Sequence, residues 1–280
     1  MEGREGFSRR CIAQETVTLS PAMARPSPAP AAPGPFTGFG AGALPFFEAL
    51  AANQNREWFL ANKQVYEEQV RAPMAALVEA LSFAFAAHDI PLTGDPKRAL
   101  FRIHRDVRFS KDKSPYKTNA GAVITRDGAK GSPGLLYVQV GGQRDGGQGD
   151  GGQGSFTGVG FYGLEPKDLT TLRRAMADAP ERWLELRSAL SAEGLDFSTG
   201  YAMARLPKGF EALAGSPVAG DLKLRNLIVS RPIAAERLQD PALVDDIVAL
   251  ASAGLPLLQF GWSALDRAKG QALARPAAAR

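Results

Sequence analysis

Between Phe101 and Ala120 the chain reads FRIHRDVRFSKDKSPYKTNA, and six of its 33 lysines and arginines fall there: Arg102, Arg105, Arg108, Lys111, Lys113 and Lys117. Only Asp106 and Asp112 oppose them, so this stretch carries a net +4, equal to the formal charge of the whole 280-residue chain. Arginine supplies a planar, two-pronged donor and lysine a compact charge, a combination that suits a phosphate or carboxylate. The chemistry expected is therefore anion handling, with Ser110 and Tyr116 adding hydroxyl donors to the six cations. Asn55, Arg56 and Glu57, at the start of an expected helix, are candidates to join this cradle, although Asn55 also has the simpler role of N-cap. The competing arrangement is a lattice in which Asp106, Asp112 and Glu57 neutralise the same cations on a solvated face.

Other chemistry is thinner. His104 shares a strand face with Asp106, which would orient a general base, but a sheet histidine packed for structure fits the same pattern. Ser110 and Ser114 lack an adjacent base and read as turn caps. The chain has one cysteine, Cys11, and two histidines, His88 and His104, without metal-ligand spacing, so neither a disulfide nor a metal site is expected. Gly128 to Ser132 lacks the phosphate-loop spacing, and the GGQRDGGQGDGGQG run lacks the calcium-repeat register. No cofactor is expected, and no reaction is assigned.

These residues need elements to position them. Phe101, Ile103, Val107 and Phe109 alternate with polar neighbours, which predicts a half-buried strand with Arg102, His104, Asp106 and Arg108 on its wet face. Arg105 falls on the apolar face, where it needs a carboxylate, backbone carbonyls or a ligand. Ser110 to Pro115 reads as a polar turn, and Tyr116 to Thr125 as a returning strand. Upstream, residues 1–35 form a Pro- and Ala-rich tail expected to be disordered, with Met23 inside it as an alternative start. Leu44 to Ala52 predicts a helix. Asn55 opens a second whose stripe runs Phe59, Tyr66, Val70, Met74, Leu77, Leu81 and Phe85, with a kink or new start near Ala72 because of Pro73.

Downstream, strands are predicted at Leu135 to Val140 and Ser155 to Tyr162, separated by a glycine insertion at 141–154 that is expected to be disordered. Helices follow from Glu165-Pro166 and Pro180, then a short strand at Leu227 to Val229 and a closing helix over Pro241 to Phe260. Residues 263–280 are Ala- and Arg-rich and are expected to fray. Helices, then neighbouring strands, then helices argue for an α+β fold, a largely antiparallel sheet packed with N-terminal and C-terminal helices in a single domain over 36–262.

The composition, 45% apolar and 22% charged with a pI near 9.3, is that of a soluble globular chain. No run of 18 apolar residues and no signal-type N-terminus is present, so no membrane partner is expected and the cytoplasm is the expected compartment. Three functions compete: a binder or enzyme for a phosphorylated or otherwise anionic small molecule, a nucleic-acid binder, and a scaffold whose basic face meets an acidic protein. A charge of +4 over this length is mild for nucleic acid, which favours the small molecule.

The run from Arg105 to Lys117, RDVRFSKDKSPYK, resembles the RDxRFSKDKxPYK hallmark of a family of conserved hypothetical, mostly bacterial proteins known as domain of unknown function 2461. Asn55-Arg56-Glu57-Trp58-Phe59 with Asn62-Lys63 is similar to the opening of that family, as is Gly160-Phe161-Tyr162 with Glu165-Pro166. The resemblance covers about Phe36 to Phe260, with the tail and the glycine insertion as extras. Arg205 and Arg225 stand where the resemblance implies lysine. It implies a shared α+β fold and a shared polar constellation, and no activity.

Overall fold

The computed structural model describes residues 35–108, 112–141, 154–200 and 202–274, with side chains to residue 270. The proline-rich tail before Pro35, with Met23, and the interior of the glycine insertion lie outside them.

Helix α1 (Ala43–Ala52) ends at a polar corner, after which Asn55 accepts a hydrogen bond from Trp58 N–H at 2.8 Å and caps α2 (Arg56–Ala61). The apolar stripe then continues through α3 (Lys63–Tyr66), one π-helical turn over Glu67–Arg71, and α4 (Ala72–Ala87). The wide turn lies immediately before the residues that start α4, so Pro73 occupies a first-turn place, where its missing N–H costs no hydrogen bond. The kink expected near Ala72 takes this form.

A short helix, α5 (Pro96–Ala99), leads to the basic stretch and then to four antiparallel strands: β1 (Asn119–Thr125), β2 (Leu135–Gly141), β3 (Phe156–Phe161) and β4 (Leu227–Pro232), in the spatial order β1-β2-β3-β4. Between β3 and β4 come α6 (Pro166–Asp178) and α7 (Pro180–Ala192), and after them α8 (Ala235–Leu238) and α9 (Leu243–Ala274). The fold is α+β with an antiparallel sheet and helices at both ends of the chain. The closing helix extends past Trp262, where composition predicts fraying, because Ala264 and Leu265 still reach the core.

Registers place Ala122, Val138 and Thr157 in one row and Ile124, Leu136, Val159 and Val229 in adjoining rows of the same face. This face meets α4 and α9 and forms the core with Leu77, Leu81, Phe85, Leu250, Leu257 and Leu258. Two stretches, Lys63–Ala87 and Leu243–Gly270, are long and apolar enough to cross a membrane. Here their apolar stripes pack on the sheet.

Tyr66 and Tyr137 are both held protonated by burial, their phenols pushed up to about 12. An unfolded tyrosine ionises near about 10. Because the folded value is the higher one, this contribution to stability is intact below pH of about 10 and is lost as pH rises towards about 12. Urea melts across that window should show falling stability, with a smaller fall in Tyr66→Phe and Tyr137→Phe; parallel falls in all three proteins would disprove the assignment.

Candidate functional site

The basic stretch runs antiparallel beside the start of β1 without becoming a regular strand. The bridges Leu100↔Ala122 and His104↔Tyr116 differ in register by two residues, so the ladder is interrupted between them. Phe101 N–H donates to Gly121 O at 2.9 Å, Lys117 N–H to Ile103 O at 2.8 Å and Arg105 N–H to Pro115 O at 2.9 Å. The alternation expected from sequence survives as burial: Ile103 is buried, while Arg102, His104, Asp106 and Arg108 are exposed.

Several of the cations are engaged inside this hairpin. Arg105, on the apolar side as expected, pairs with Asp112. Ser114 N–H also donates to Asp112, and the Ser114 bonds followed by the Arg105 guanidinium hold that carboxyl far below the usual range. Arg108 grips Asp106 with Nε at 2.9 Å and Nη2 at 2.7 Å, which lowers the Asp106 carboxyl in turn. Lys113 Nζ donates to Val107 O at 2.9 Å. These contacts brace the turn. Ser110 and Lys111 lie outside the described residues.

Tyr116 is buried, stacked on Phe59 with centroids 4.5 Å apart, and its N–H donates to Gln54 Oε1 at 3.1 Å. That bond ties the corner between α1 and α2 to the hairpin. His104 lies 5.2 Å from the Tyr116 ring and 6.0 Å from Phe59, while the Asp106 carboxylate is engaged by Arg108. The geometry is that of a packed histidine. Asn55 caps α2, and Arg56 and Glu57 are exposed beside it without an ion pair to the hairpin among the described residues.

Arg102 and Lys117 have a different setting. The second face of the sheet carries Gly121, Val123, Tyr137, Phe156 and Ile228, which stand outside the contiguous core among the described residues. Phe101 extends this face, its ring 6.3 Å from that of Tyr137, and remains 38% exposed. Two lysines lie over it: Lys117 Nζ at 5.3 Å and Lys130 Nζ at 4.5 Å from the centroid. Lys130 also donates to Leu100 O. It comes from the turn between β1 and β2, which Asp127 shapes by accepting from Ser132 Oγ at 2.7 Å and Ala129 N–H at 3.0 Å.

Lys117 is pushed below its ordinary pKa by burial and then by the charges of Arg102, Lys130 and Arg105. No carboxylate forms an ion pair with Arg102, Lys117 or Lys130 among the described residues. Sequence reasoning placed Arg102 and Lys117 in the cradle and missed Lys130, Phe101 and Tyr137. Lys130 was hidden by a turn whose glycines and proline announce only a chain reversal, and the interrupted ladder brings it back across the strand edge. Among the described residues no cluster of three or more metal-ligating side chains is present.

The fold and site define an antiparallel-sheet α+β protein whose one face is closed by helices and whose first edge carries a cation cluster on an aromatic surface. The profile of the conserved hypothetical protein family DUF2461 matches residues 42–260, and the chain belongs to that family. No curated protein and no solved structure matches it.

Proposed function

We propose that this protein binds a phosphorylated or similarly anionic small molecule at the β1 edge of the sheet. Arg102, Lys117 and Lys130 take the anion, while Phe101 and Tyr137 provide a flat surface for the rest of the ligand. The observation that carries this reading is three cations gathered round one partly exposed ring with no carboxylate paired to them among the described residues. Arg105, Arg108 and Lys113 shape the turn, and Lys111 and Ser110 at its tip complete the candidate cradle. A cytoplasmic location belongs to the same proposal, since phosphorylated metabolites are found there.

Like charges crowded in the empty protein cost stability that an anion restores. Lys117→Ala/Lys130→Ala should therefore melt no lower than wild type in chloride. In phosphate at matched ionic strength, ten times the dissociation constant stabilises the wild type by about 1.4 kcal/mol, roughly 3–5 °C for a chain of this size. The variant should lose that gain. A wild type indifferent to phosphate, together with a destabilised variant, would overturn the proposal.

The partly exposed aromatics of the second face favour one alternative, a single-stranded nucleic acid whose bases stack on Phe101, Tyr137 and Phe156. Three engaged cations would then give a slope of log affinity against log salt of about −2 to −3. Binding of a short oligonucleotide at physiological salt with that slope would replace the small-molecule reading. A scaffold role would instead need a flat patch with an apolar centre.

A further inference from the structure

On the edge of the sheet opposite to β1, the segment entering β4 runs beside residues 203–206, joined by Met203 N–H to Lys223 O at 2.8 Å. Arg173 of α6 lies against both segments and is only 6% exposed. Its Nη2 donates to Leu224 O at 2.8 Å and meets Met203 Sδ at 3.6 Å, while its Nε is sealed from solvent with no partner. No carboxylate pairs with Arg173 among the described residues, and the nearby charge acting on it is a second cation, Arg225.

The neighbours of Met203 and Leu224 in the chain, Arg205 and Lys223, line a cleft of about 510 Å³. Acids in this region are committed elsewhere. Glu211, also at the cleft, accepts Gly209 N–H at 2.7 Å, and Asp221 turns inward to Trp183 Nε1 at 2.8 Å and Arg187 Nη1 at 3.2 Å. A buried guanidinium without a counter-ion is costly, and a thioether is a poor acceptor for it. The arrangement is one oxyanion short.

We infer that this cleft binds a tetrahedral oxyanion, either inorganic phosphate or a phosphomonoester, which Arg205, Lys223 and Arg225 attract and which displaces the Met203 thioether from Arg173. Methionine has the torsional freedom to swing aside, and the fork of Arg173 then gains the charged acceptor its Nε lacks. The site is separate from the Phe101 cluster, because the two lie on opposite edges of the four-stranded sheet. It does not depend on the function proposed for that cluster.

The test follows the side-chain Nε–H resonance of Arg173 in the intact protein while inorganic phosphate and glycerol phosphate are titrated separately against chloride at constant ionic strength. A saturable shift is expected, retained in Lys117→Ala/Lys130→Ala and weakened at least roughly tenfold in Arg205→Ala/Lys223→Ala, whose exposed or half-exposed positions leave the fold intact. Tighter binding of the ester would assign a phosphorylated metabolite, and tighter binding of the free ion would assign phosphate. A resonance unmoved by either anion, or a shift unchanged in the Arg205→Ala/Lys223→Ala variant, would overturn the site. So would a shift abolished by Lys117→Ala/Lys130→Ala, which would trace the response to the other edge.

Discussion

Gly261→Ala should lower stability by about 1–3 kcal/mol, whereas Gly270→Ala in the same helix should raise it by about 0.5–1 kcal/mol. Both substitutions add one methyl to α9 and remove the same backbone freedom, so propensity favours both. Their surroundings differ. A methyl at Gly261 would stand 2.1 Å from the Phe161 ring, and one at Gly254, two turns earlier, 2.2 Å from Val159. Phe161 and Val159 are fully buried in β3 and have no space to retreat into. Gly270 has nothing within 4 Å. Close approach of α9 to β3 thus depends on two glycines spaced seven residues apart, and Trp262 fixes the same contact by donating to Pro133 O at 2.8 Å. Urea melts should show a shifted midpoint with an unchanged slope, and a drop of roughly 3–10 °C in melting temperature for Gly261→Ala. Equal stability in the two variants would mean that the helix rides farther from the sheet.

Much of this fold was legible in the residues because local and tertiary preferences agree. The stripe from Phe59 to Phe85 faces the core in the order its spacing demands, and Pro73 breaks the helix where its chemistry says it must. The strands at Leu135 and Ser155 lie between turn signals strong enough to bound them. Phe101 to Val107 shows the limit: alternation reported which side chains are wet and which are dry, but regular pairing depends on the partner's register, which slips by two residues between Ala122 and Tyr116. The site divides in the same way. Excess charge was visible in composition, and Arg105 was marked as needing a partner. Which cations would find carboxylates was a matter of turn geometry, since Asp106 reaches Arg108 two residues away and Asp112 reaches Arg105 across the hairpin. Lys130 and Arg173 gave no local signal, because one arrives from a distant turn and the other looks like any helix arginine until the chain closes over it.

Asp221→Ala should cost about 2–4 kcal/mol, and Asp221→Asn less than about 1 kcal/mol. Asp221 is a buried carboxylate at the head of the short 3-10 turn Asp221–Lys223. It accepts from the indole N–H of Trp183, a fully buried ring stacked on Phe197 with centroids 5.6 Å apart. Removing the carboxylate leaves that N–H unpaired in the core, where the penalty is that of desolvation without return. The second partner, Arg187, is half exposed and can turn to water, so the ion pair contributes little by itself. Asparagine keeps an oxygen for the indole and gives up only the charge, which is why it should recover most of the loss. If the ion pair stabilised the fold more than the indole bond does, Asn and Ala would be equally harmful and high salt would weaken the wild type by a similar amount. The turn also carries Lys223 to the cleft beside Arg205. Asp221→Asn should therefore keep the phosphate response of the Arg173 resonance, while Asp221→Ala, by freeing the turn, should weaken it. A full response in the alanine variant would show that Lys223 is held by the Met203 backbone bond alone.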